Sequence, residues 1–135
     1  MVGPLEEAVR RIGDRWTLLI VDALLGGPAR FGELAERLEG IAPTVLTRRL
    51  RSLETDGLVR ATPYSQRPIR LSYELTASGH DLADALSVLR SWGAREHGGD
   101  SHHHDPCGST LEVRLWCPTC DRMVEADEAP DDVEA

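Results

Sequence analysis

Ile41-Ala-Pro-Thr-Val-Leu-Thr-Arg-Arg-Leu-Arg-Ser-Leu-Glu-Thr-Asp-Gly-Leu-Val-Arg60 is the stretch on which the reading of this chain turns. From Thr44 onward, Leu46, Leu50 and Leu53 recur at i, i+4 and i+7, which predicts a helix with one apolar stripe. At about 100° per residue, Thr44, Thr47, Arg48 and Arg51 fall together on the opposite face. Pro43 suits the approach to a helix start. Gly57 suits the left-handed position just past a helix end, with Leu58 folding back on the last turn. An outward face of guanidiniums and short hydroxyl side chains is what a duplex-reading helix needs. Arginine takes phosphate or guanine, and threonine permits close approach. The same pattern also describes an ordinary amphipathic helix with a solvated face, so its neighbours have to decide.

Upstream, Pro4 to about Ile12 reads as a first helix with Leu5, Ala8, Val9 and Ile12 on one face. Gly13 interrupts it. Asp14 can cap a second helix, Arg15 to about Leu25, which is apolar on nearly all sides and is therefore expected to be buried. Gly26-Gly27-Pro28 ends that helix. Phe31 to Leu38 is a third, short helix with Leu34, Ala35 and Leu38 inward, and residues 39–43 connect it tightly to the next. A short helix, a few-residue turn and a second helix with a polar outer face make a helix-turn-helix. Arg30, just ahead of the third helix, suits either a nucleic-acid backbone contact or a structural ion pair.

Downstream, Leu58–Thr62 and Ile69–Leu75 alternate in the manner of strands around a Pro-bounded loop, Pro63–Pro68. The pair is a hairpin with Gln66 and Arg67 at its tip. Thr76 can cap a long helix from Ala77 to about Ala94. Its apolar residues Leu82, Ala85, Leu86, Val88, Leu89 and Trp92 cover more than half the circumference. One small core does not need so wide a face, which points to a second copy of the chain as its cover, with the C-terminal appendage or the first helix as the alternative. Helices, helix-turn-helix, two-stranded wing and closing helix together describe a winged helix.

Charge supports a polyanion partner once it is divided. The formal −8 over 135 residues sits entirely in residues 100–135, with 2 Arg against 10 Asp+Glu, whereas residues 1–99 balance 13 Arg against 13 acids. Within 44–70, Arg48, Arg49, Arg51, Arg60, Arg67 and Arg70 face only Glu54 and Asp56, a local +4. There is no lysine, so every basic side chain is a planar fork suited to phosphate and guanine. Arg49, Arg67 and Arg70 are expected at phosphates or on the wing. Hydrophobic residues at 41 % suffice for a core. No run approaches the roughly 18 apolar residues of a membrane helix and no signal-peptide pattern opens the chain, so no membrane association and a cytoplasmic location are expected.

The particular residues resemble the HxlR-type family of bacterial transcription regulators. The matching pieces are Ile12-Gly-Asp-Arg-Trp-Thr-Leu-Leu-Ile20, Gly27-Pro-Ala-Arg-Phe-Gly-Glu-Leu34, Gly40-Ile41, Leu46-Thr-Arg-Arg-Leu-Arg-Ser-Leu-Glu54, Asp56-Gly-Leu-Val59, Tyr73-Glu-Leu-Thr76, Gly79 and Ser91-Trp-Gly93. They run in order over about residues 5–95, and it is the set that is specific. The resemblance implies a homodimer on double-stranded DNA, with terminal helices at the interface and the wing touching the minor groove or backbone. Many members of that family begin with a Cys-Pro pair, and in some that cysteine senses oxidants or electrophiles. Here Met1-Val-Gly-Pro4 has no cysteine, so that sensing mode does not carry over.

The second departure from the family is a cysteine-bearing segment. His104-Asp-Pro-Cys107, nine residues, then Cys117-Pro-Thr-Cys120 gives two x2 turns in a zinc-ribbon plan with a short hairpin between them. Three thiolates and one imidazole suit tetrahedral structural zinc, and a metal would staple a segment too small for a core of its own. His104 has the best spacing for the fourth ligand, with His102 or His103 also within reach, and water or a side chain from elsewhere as further candidates. A redox pair at Cys117 and Cys120, or unligated cysteines, are the other readings.

The chain is thus expected to be mainly α with a small β-hairpin wing. A winged helix-turn-helix domain for DNA binding and dimerisation spans 1–97, a zinc-ribbon-like appendage 98–126 and an acidic tail 127–135. The expected function is sequence-specific transcription regulation, with room for an unidentified effector to which no residue points. The rival is a protein-interaction module recruiting partners through the ribbon and tail. No nucleophile–base pairing or phosphate loop suggests an enzyme.

Overall fold

Pro4, with its fixed φ and no N–H to leave unsatisfied, opens the first helix, α1 (Pro4–Ile12), which ends at Gly13. Asp14 then organises the turn that follows. Its Oδ1 accepts from the backbone N–H of Trp16 at 2.9 Å and of Thr17 at 3.1 Å, and its Oδ2 accepts from the Thr17 hydroxyl. The second helix, α2 (Thr17–Leu24), therefore starts two residues later than expected, because Asp14 spends its capping capacity on a preceding turn. Ile20, Val21 and Leu24 of α2 are buried, Leu18 and Ala23 are half-buried against the core, and within the helix Leu19 alone is exposed, so α2 is covered on nearly all sides. The structure describes residues 1–99, 102–125 and 127–128 and is a computed structural model.

After Gly27, Ala29–Arg30 forms a two-residue strand, β1, too short to show any alternation in sequence. It leads directly into α3 (Phe31–Arg37), where the Glu33 carboxylate accepts the Arg30 N–H at 3.1 Å, half of a capping box. The next helix, α4 (Pro43–Thr55), starts on a proline. It stops at a Schellman motif, with Leu58 N–H donating to Leu53 O at 2.9 Å and Gly57 N–H to Glu54 O at 3.0 Å. Gly57 has φ 74°, the left-handed conformation this cap requires.

The hairpin is longer than its prolines suggested. Strand β2 (Val59–Gln66) pairs antiparallel with β3 (Ile69–Leu75) from Val59↔Leu75 to Gln66↔Ile69, leaving Arg67-Pro68 as the turn. Pro63 is tolerated because the sheet order is β1-β3-β2, which puts β2 at an edge, and a register shift between Pro63 and Ser65 absorbs the irregularity. The expected single closing helix is two helices, α5 (Ala77–His80) and α6 (Ala83–His97). Thr76 caps α5 through Gly79 N–H at 3.2 Å, as its position predicts. That turn is clamped to the wing: Thr76 N–H donates to Leu58 O at 3.0 Å, and a Cβ on Gly79 would lie 2.3 Å from the same oxygen. Leu82 N–H then bonds to Gly79 O at 3.2 Å, a three-residue spacing that breaks the four-residue ladder.

Two compact units result, Met1–Leu86 and the residues from Ser87 onward, with α6 running through the boundary. The first holds the core: Ile20, Val21, Leu24, Leu34, Leu46, Leu50, Leu53, Leu75 and their neighbours. In the second, β4 (Trp116–Cys117) pairs with β5 (Arg122–Met123), and a bridge joins His103 to Thr110. Each pairing spans one of the two x2 turns, whereas the sequence had placed one hairpin between them. No described helix is long and apolar enough to cross a membrane.

Candidate nucleic-acid interface

Helix α4 is anchored by the residues its periodicity picks out, with Leu46, Leu50 and Leu53 at 0, 1 and 2 % exposure. Burying each contributes about 2 kcal/mol, which fixes the rotation of the helix and hence the direction of its other face. On that face Thr44, Arg48 and Arg51 are exposed and Thr47 is half-buried, its hydroxyl donating to Pro43 O at 2.9 Å. On the hairpin, Gln66, Arg67 and Arg70 are exposed.

The local positive charge is not all free. Arg60 donates to Glu74, its partner across the β2–β3 ladder, at 2.6 Å. Arg49 departs from the expectation of a phosphate contact. It is half-buried on the inward flank of α4, with Nε 3.5 Å from Asp14 Oδ1, close enough for an ion pair but without hydrogen-bond geometry. Position 49 lies between the leucine stripe and the arginine face, so periodicity alone could not assign it. Once both pairs are removed, Arg48, Arg51, Arg67 and Arg70 remain, none in an ion pair with a described residue.

Asp14 is held below its ordinary pKa. Desolvation pushes the carboxyl up, but it is outweighed by the Thr17 hydroxyl, the Trp16 and Thr17 amides and the Arg49 charge. Among the described residues Arg30 has no ion-pair partner: its guanidinium lies 4.4 Å from the centre of the Tyr64 ring, tying the start of α3 to the wing. Only Tyr64, an aromatic residue inside a polar hairpin, hinted at this.

The cysteine-bearing segment brings its candidate ligands together in pairs. His104 Nδ1 lies 3.3 Å from Cys107 Sγ, and Cys117 and Cys120 share the second turn. Among the described residues no group of three or more His, Cys, Asp or Glu side chains is placed to hold one metal ion, so the expected four-residue cluster is not assembled. Each turn is closed by its own backbone bonds. With residues 102–125 exposed apart from half-buried Cys117 and Val124, no apolar core draws the two turns together.

A short helix and a second helix joined by a tight turn, then a two-stranded wing, with unpaired guanidiniums on the second helix and the wing, define the winged-helix class of transcription regulators. Comparison with known proteins narrows the class. The HxlR-like helix-turn-helix family matches residues 11–100, two thirds of the chain, and the chain belongs to that family. The HTH-type transcriptional regulator Rv3095 of Mycobacterium tuberculosis is 40 % identical over 124 residues, covering 88 % of this chain and 78 % of its own length. That share exceeds the whole stretch ahead of residue 100, so the likeness extends into the cysteine-bearing segment. Among solved structures, the HTH-type regulator YtcD is 34 % identical with a TM-score of 0.66, covering 70 % of this chain and 96 % of that one. The reduced form of the regulator YodB from Bacillus subtilis is 31 % identical with a TM-score of 0.61, covering 74 % of this chain and all of that one. The protein is a helix-turn-helix transcriptional regulator, not an enzyme.

Proposed function

We propose that the protein regulates transcription as a homodimer that sets two copies of α4 into successive major grooves of double-stranded DNA. The observation that carries this reading is the set of guanidiniums in no ion pair among the described residues, Arg48 and Arg51 on α4 and Arg67 and Arg70 on the wing, beside a leucine stripe that fixes α4. Thr44, Thr47, Arg48 and Arg51 face bases and phosphates, while Gln66, Arg67 and Arg70 contact backbone from the wing. Arg49 acts as a strut to Asp14. The homodimer is supported by apolar side chains left uncovered on both terminal helices: Leu5 and Val9 of α1, and Val88, Leu89 and Trp92 of α6.

In the same reading His104, Cys107, Cys117 and Cys120 hold a structural zinc ion. Support comes from a likeness between the two turns. Gly108, after Cys107, has φ 72°, and Asp121, after Cys120, has φ 55°. Gly108 N–H donates to His104 O at 2.7 Å, and Asp121 N–H to Cys117 O at 2.8 Å, so both x2 turns close in the same way. The thiols are poised for metal. Hydrogen bonds from the Ser109 hydroxyl and amide hold Cys107 below its ordinary range, and those from Cys120 and the Thr119 amide do the same for Cys117. Bound zinc would cross-link the two turns.

Binding to the DNA upstream of the protein's own gene tests the reading against that of a protein-interaction module. A protected footprint whose affinity falls steeply with salt is expected. Absence of a footprint, or binding indifferent to salt, would favour the interaction module.

A further inference from the structure

Between the two turns of the second unit runs Leu111-Glu-Val-Arg-Leu115, in which reversing the order puts a base where the acid stood and an acid where the base stood. Apolar residues stand at 111, 113 and 115, with an acid at 112 and a base at 114. The Glu112 carboxylate accepts from Arg114 Nη2 at 2.6 Å, a bond between residues two apart, the spacing at which an extended chain puts side chains on one side. Leu111, Val113 and Leu115 are 48, 53 and 60 % exposed, an uncovered row of aliphatic side chains.

The backbone of this run is engaged along one edge only. Leu111 N–H donates to His102 O at 2.8 Å, and Leu115 O accepts from Val124 N–H at 2.9 Å. In an extended chain the N–H and C=O of one residue share an edge and those of the next residue point to the other, so these two bonds occupy the edge that the backbone of Leu111, Val113 and Leu115 faces. The backbone groups of Glu112 and Arg114 belong to the other edge, and no hydrogen bond to them is made among the described residues.

We propose that this edge is an interface between two copies of the chain, each contributing residues 111–115 to a two-stranded antiparallel ladder centred on Val113. In that register Glu112 lies opposite Arg114 of the second copy and Arg114 opposite its Glu112, and each such pair exchanges two backbone hydrogen bonds. Val113 meets Val113 at the closer, non-hydrogen-bonded position, and Leu111 meets Leu115. Charge complementarity selects the occupant. A chain carrying acid then base along its open edge is complementary to itself when reversed, as a two-fold interface requires. A parallel arrangement in register would set Glu112 against Glu112. Covering the edge also removes a hazard, since an open strand edge beside aliphatic side chains invites aggregation. Val88, Leu89 and Trp92 of α6 belong to the same compact unit, so the ladder extends the apolar interface of the homodimer on which it rests.

The test is a pair of charge substitutions in the 135-residue chain, Glu112→Arg and Arg114→Glu. Each alone sets like charges opposite one another in a dimer and also breaks the Glu112–Arg114 bridge within a chain. Mixed in equal amounts, the two variants restore opposite charges at both positions across a heterodimer but cannot restore the bridge within a chain. Native mass spectrometry resolves the species by mass. Parental protein is expected to be dimeric, each variant less so, and the mixture enriched in heterodimer well beyond the random share of about one half. A random share, or variants that dimerise as well as the parent, would overturn the ladder while leaving the homodimer standing. A monomeric parent would overturn both.

Discussion

Asp14 and the arginines of α4 show how a single position divides stability from recognition. Arg49 is half-buried against Asp14, whereas Arg48 is exposed. Arg49→Ala should therefore lower the melting temperature and Arg48→Ala should leave it unchanged, which differential scanning fluorimetry of the two variants will show. Asp14→Ala removes the acceptor for two backbone N–H groups and should cost about 1 kcal/mol in urea unfolding. The pH dependence has a definite sign. Because the folded Asp14 carboxyl lies below its ordinary value of 3.8, its contribution is complete above that value and is lost as the pH falls through the folded pKa. Urea midpoints measured down through this acid range should fall more steeply for the parent than for Asp14→Asn. Parallel curves would mean that ionisation of Asp14 adds nothing to stability.

At the scale of elements, legibility followed the length of the pattern. Helix α4 could be read because three leucines repeat over two turns and Gly57 marks its end, and the structure keeps both features. Strand β1 could not be read, since two residues carry no period. The sequence pattern makes the wing too short, because Pro63 looks like a strand breaker until β2 is known to be an edge, which is a tertiary fact. The break at Asp81-Leu82 follows a turn at which Gly79 backs onto Leu58 O, a contact between distant segments that periodicity does not show. In the site, the exposed faces of Arg48 and Arg51 were legible, while the Arg49–Asp14 and Arg30–Tyr64 pairings were not, because each joins two elements. For the wing, Arg67→Ala or Arg70→Ala should weaken DNA binding about equally for all sequences and reduce the salt slope by about one. For the two x2 turns, metal analysis of untagged protein should find about one zinc per chain, and Cys120→Ser should lose it. Less than roughly half an equivalent in the parent would remove the proposed staple.

Across the whole molecule, the −8 charge and the proposed grip on DNA are compatible because the excess of acids over arginines lies after residue 99. Most of the acidic segment 127–135 falls outside the described residues, with Asp127 and Glu128 the exceptions; Glu128 pairs with Arg122 at 2.5 Å. Two helices of one dimer reaching successive grooves require half-sites about one helical turn apart, or about 34–36 Å. The claim beneath all of this is that buried leucines hold α4 so that its guanidinium face enters a groove. Fluorescence anisotropy of operator DNA with the Arg48→Ala/Arg51→Ala double variant addresses it most directly. If either residue reads a base, a loss of at least about 1–3 kcal/mol in binding is expected, with an unchanged melting temperature. Operator binding by the double variant equal to that of the parent would contradict it.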